Sequence, residues 1–139
     1  MRSVKAVSLL LLVVLLAGAF SGCGDDGDKP LELYSIAFPN AFITNVSTTN
    51  EDNVKRTYLI KAEVTIELTS QSHAEAMNEK LYIAEDAVTG VLRELTLAQL
   101  GQANIQEEIK PQIIEKINAA YGIESVHAVY FKSFTVQST

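Results

Sequence analysis

Few side chains in this sequence can do chemistry, and their spacing says which kind. The chain holds a single cysteine, Cys23, and two histidines, His73 and His127. One thiol has no partner for an intramolecular disulfide and cannot found a cysteine-rich metal site. His73 falls where a helix should begin and His127 inside a strand, far apart, so each reads as a solvated or packed imidazole. The adjacent carboxylates Glu85-Asp86 and Glu107-Glu108 lie on expected helices, where neighbouring side chains diverge, and they read as wet faces. Asp25, Asp26 and Asp28 begin like a calcium loop, but the later ligands of such a loop are missing. No glycine-rich phosphate loop, nucleophile elbow or His/Cys cluster occurs. The sequence therefore predicts no catalytic, cofactor-binding or metal-binding residue, and no cofactor.

Cys23 stands at a seam. Before it, Arg2 and Lys5 form a basic head, and "AVSLLLLVVLLAGAF" runs uncharged from Ala6 to Phe20. Basic start, apolar middle and small residues at Ser21 and Gly22 make up a secretory signal. The run is shorter than the roughly 20 apolar residues that a membrane-spanning helix needs, which favours a cleaved signal over the alternative, an uncleaved membrane helix that leaves Cys23 a free thiol. "FSGC", Phe20 to Cys23, resembles the lipobox of bacterial lipoprotein signals, with Phe20 in place of the usual leucine. That resemblance implies cleavage before Cys23, acylation of its thiol, and attachment to a membrane through lipid. Each buried CH₂ is worth about 0.8 kcal/mol, so two or three acyl chains anchor stably where one would not.

The rest of the chain must fold on that anchor. The full sequence of 139 residues is 47% hydrophobic and 20% charged, with a net charge of −6, which suits one domain with an N-terminal appendage. Loss of residues 1–22 would leave nine basic against seventeen acidic residues, or −8. Such an acidic chain, with no basic run longer than Lys55-Arg56, is not built to bind nucleic acid. Residues 23–38 open on glycine and aspartate and read as a flexible tether, and the domain is expected over 39–139.

Within the domain the periodicities are plain. A short strand is expected around Phe42, Thr44 and Val46. In "TYLIKAEVTIEL", Tyr58, Ile60, Ala62, Val64, Ile66 and Leu68 alternate with polar residues, the mark of a half-buried antiparallel strand. Ser72 and Glu75 fit a capping box, and Met77, Leu81, Ala84, Val88, Val91 and Leu95 follow as one helical stripe. Tyr82 and Ile83 fall off that stripe. Tyr82, Tyr121 and Phe131 suit an interface and a core equally well. After a break at 96–104, Ile105, Ile109, Ile113, Ile114 and Ile117 line a second helix, which Pro111 should kink. Gly122 is placed to stop it. The last strand, "VHAVYFKSFTVQ", puts Val126, Ala128, Tyr130, Phe134 and Val136 on one face and Val129 and Phe131 on the other. Apolar faces on both sides place it at the centre of its sheet. The order predicts a single α+β domain, a small mainly antiparallel sheet with two helices packed on one side.

Four stretches, "YLIKAEVTIEL", "AEDAVTGVLRELTLAQL", "EEIKPQIIEKINAAYG" and "VHAVYFKSFTVQ", together resemble the flagellar basal-body-associated FliL family between Tyr58 and Gln137. In the last stretch Val126, Val129, Tyr130, Phe131, Phe134 and Gln137 correspond position by position. The resemblance implies a stomatin-like (SPFH-like) extracytoplasmic domain without enzymatic activity. It implies self-assembly around flagellar stator proteins, in support of torque, motility or rotational control in chemotaxis. Members mostly hang from an uncleaved membrane helix, so the lipoprotein-type signal sets this chain apart. The expected location is the bacterial cell envelope, exported and membrane-anchored. A second class of function fits the same residues: an envelope or small-ligand binding lipoprotein with no part in motility.

Overall fold

A computed structural model describes residues 29–49 and 53–139. The predicted signal over 1–22, Cys23 and the aspartates after it lie outside the described residues. Residues Leu31–Thr139 form one compact unit. The sheet is built on one long strand, β3 (Lys55–Leu68), whose alternation does what the sequence predicts. Ile60, Ala62, Val64, Ile66 and Leu68 are buried, while Lys61 is exposed and Glu63, Thr65 and Glu67 are half-exposed on the opposite face. Burying one such large aliphatic side chain is worth about 1.5–3 kcal/mol, so register is strongly fixed.

Two antiparallel neighbours share one edge of β3. β1 (Tyr34–Ala37) pairs with Thr65–Leu68, and β2 (Phe42–Thr49) with Lys55–Ala62. β4 (Val126–Ser138) pairs with nearly all of β3, from Leu68 back to Tyr58, and so occupies the other edge. β1 corrects the sequence reading, which left residues up to 38 in the tether. The strand is four residues long and buries only Ile36 fully, too weak a local signal to stand out. Pro39, which has no N–H to give a ladder, separates β1 from β2. The Phe38 N–H still reaches the Val64 carbonyl at 3.2 Å, and its ring meets Phe42 edge-on at 5.0 Å.

β4 is also corrected. β3 is the central strand, and β4 lies on an edge. Its pairing skips His127 and Lys132, which gives two bulges. Each bulge reverses the alternation. Val126, Val129, Phe131, Phe134 and Val136 thereby all turn to the core side, and Tyr130 turns outward, 48% exposed. The apolar residues on "both faces" occupy one.

Helices cover that face. The single stripe expected from Met77 to Leu95 is carried by two helices, α1 (Gln71–Glu79) and α2 (Leu81–Arg93), broken at Lys80 (φ −132°, ψ 44°). The cap of α1 is Ser70, whose hydroxyl accepts from the His73 N–H at 3.3 Å; Ser72 is not the cap. The expected break holds a short helix, α3 (Leu97–Leu100), with a capping box between Thr96 and Gln99. α4 (Ile105–Tyr121) runs through Pro111 as one helix and buries Ile105, Ile109, Ile113 and Ile117. Pro111 is on the exposed side, where water can meet the carbonyl that its ring leaves without a donor. Gly122 ends α4 in the left-handed conformation (φ 65°), with the Ile123 N–H on the Asn118 carbonyl at 3.0 Å. With the Gly122 N–H on Ala119, this is a Schellman cap. The result is a two-layer α+β domain with its core between sheet and helices; among the described residues nothing covers the other sheet face.

Candidate functional site

The structure brings one histidine to a hydroxyl. His73 Nδ1 lies 2.8 Å from Ser125 Oγ, a pairing that the sequence reading missed because 52 positions separate the two. A base beside a hydroxyl is the beginning of nucleophilic catalysis. Here, however, Ser125 is only 6% exposed, and its carbonyl also accepts from the Thr69 N–H at 2.9 Å. The pair ties the start of α1 to the start of β4, which makes it a clasp between elements. His127 is exposed at a β4 bulge, two residues after Ser125, and has no part in the hydrogen bond that forms the clasp.

The paired carboxylates diverge as expected. Glu107 binds Lys110 at 2.6 Å and Glu108 accepts from Asn104 Nδ2 at 2.9 Å, both in the first turn of α4, where negative charge suits the helix dipole. Among the described residues no group of three His, Cys, Asp or Glu side chains is arranged to hold a metal. Among them, too, no helix is long and apolar enough to cross a membrane.

Two surfaces among the described residues suit binding. On the bare sheet face Ile43 is 62% exposed beside Lys61, its partner across the ladder. Tyr130 donates to Glu67 Oε2 at 2.9 Å, and Ser35 Oγ reaches Glu67 Oε1 at 3.4 Å. That hydrogen bond, then the charge on Glu67, pushes the Tyr130 phenol above its ordinary range.

The other surface is a groove between α2 and α4, with a volume of about 590 Å³. Tyr82, Ile83 and Ala87 form one wall and Ala119 and Ala120 the other, with Asp86 and Lys116 beside them. Three alanines keep the groove open. Tyr82 stands at its edge, 65% exposed. Of the three aromatics singled out in the sequence, Tyr82 is the exposed one. Tyr121 is half-buried and donates to the Lys80 carbonyl at 2.7 Å, at the helix break, where the Ile83 N–H also reaches that oxygen at 3.0 Å. Phe131 packs edge-on against Phe134 at 5.4 Å. The sequence marked Tyr82 and Ile83 as off the core stripe, but the alanine wall opposite them comes from another helix.

Residues 35–137 match the profile of the family described as "flagellar basal body-associated protein FliL". A comparison with curated proteins finds no match.

Proposed function

The chain belongs to the flagellar basal body-associated FliL family, and from that premise we propose that it is a non-enzymatic component that self-assembles beside the motor stator and supports motility. The observation that carries this reading is the extent of the match, which spans every strand and helix described here apart from the first residue of β1 and the last of β4. The family's association with the basal body implies a place in the cell envelope. Torque support and rotational control in chemotaxis are the finer roles of the proposal.

In this reading the domain acts from a lipid anchor at Cys23. Two features suit a domain that works by contact. One sheet face is uncovered among the described residues, and the α2/α4 groove carries an exposed aromatic, the residue type that most often anchors interfaces. A fluorescent protein fused after Thr139 should form foci that coincide with labelled basal bodies. A uniform envelope signal would overturn basal-body association and favour the envelope-binding reading.

A further inference from the structure

The α2/α4 groove has an apolar floor and an acidic surround. Asp86 lies in its lining, and Glu115 is exposed one residue before Lys116, beside a second hollow that Ala119 shares. Neither carboxylate makes an ion pair with another described residue. The one cation in the lining, Lys116, is already held by Glu94 at 2.9 Å. The groove thus presents hydrophobic surface together with uncompensated negative charge.

Its surroundings have the same sign. From Ser70 to Ser125 the chain carries nine acidic and four basic side chains, a net charge of −5. The helices of a second copy would bring like charge against like, so this groove does not suit helix-to-helix contact between copies. The alanine wall and the exposed Tyr82 suit an inserted helix with one apolar stripe.

We propose that the groove between α2 and α4 binds a basic amphipathic helix of a partner protein. The apolar stripe of that helix would lie on Ile83, Ala87, Ala119 and Ala120, with Tyr82 closing over it. Its lysines or arginines would meet Asp86 and Glu115. The inference takes from the proposed function only that the domain works by binding, and names the partner's chemistry.

The test uses the full chain in detergent and two labelled 18-residue helical peptides with the same leucine stripe, one with lysine and one with glutamate at the polar positions. The lysine peptide should bind, and the glutamate peptide should bind about tenfold more weakly or worse. Asp86→Lys with Glu115→Lys should weaken the lysine peptide by about tenfold, and Ala119→Trp should do so without any change of charge. Glu75→Lys, on α1, controls for general electrostatic attraction and should leave affinity within about twofold. Circular dichroism checks that each variant is folded. Equal binding of both peptides, or equal loss with Glu75→Lys and the groove variants, would overturn the proposal. Motility measured in the same variants separates the two readings: binding lost with motility intact removes this groove from the flagellar role and leaves the family assignment standing.

Discussion

Two residues near the end of α4 carry much of the local geometry. Gly122 adopts φ 65°, and a Cβ built there meets nothing within 4 Å, so alanine would suffer only the backbone penalty. Gly122→Ala should therefore destabilise the domain by about 1–2 kcal/mol in urea unfolding, with no change in the slope. Tyr121 acts by its hydroxyl, which bonds the Lys80 carbonyl where the helix breaks. Tyr121→Phe should cost about 1 kcal/mol. Burial is the main cause that pushes the Tyr121 phenol upward, joined by Tyr82 and Glu85 and opposed in part by the Ala84 N–H. A raised value in the folded state means that this contribution is whole below the ordinary phenol range and fades as pH climbs through the raised one. The melting temperature should fall above about pH 10 in the wild type, and less steeply in Tyr121→Phe. Gly122 was legible as a stop because a glycine signal is local. The Tyr121–Lys80 bond spans 41 positions and left no trace in the pattern.

At the scale of elements, α4 poses the sharpest question. Pro111 sits inside a helix that nonetheless keeps its isoleucines at regular spacing on the core. Packing holds the helix against its proline, so removing the ring should help. Pro111→Ala is expected to stabilise the domain by up to about 3 kcal/mol, read as a higher urea midpoint. An unchanged or lowered midpoint would mean that the ring itself packs usefully. Periodicity revealed β3 and α4 well, because each buries one face along its whole length. It failed where the period changes within an element. The bulges at His127 and Lys132 swap the faces of β4, and the break at Lys80 divides a stripe that reads as unbroken. Tertiary contacts set both, and alternation or helical spacing alone does not encode them. The groove was half visible: Tyr82 and Ile83 stood out as surplus apolar residues on one helix, whereas Ala119 and Ala120 gain meaning only when α4 lies beside α2.

At the scale of the molecule, a two-layer α+β domain belongs to a family of flagellar basal body proteins, and Cys23 stands after an apolar N-terminal run in a sequence that resembles a lipobox. Intact-mass measurement of the membrane fraction should find a chain that begins at Cys23 and carries acyl groups. A chain that retains Met1 without acylation would contradict the anchor and return the apolar run to a membrane helix. Such a result would leave the domain and its family untouched. The central claim, a role in motility, has a more direct test. The gene would be deleted without polar effect, and swimming and swarming scored with and without a wild-type copy supplied in trans. The account predicts impaired motility, most evident under load on a swarm surface, and recovery on complementation. Swimming and swarming at wild-type rates in the deletion strain would contradict it.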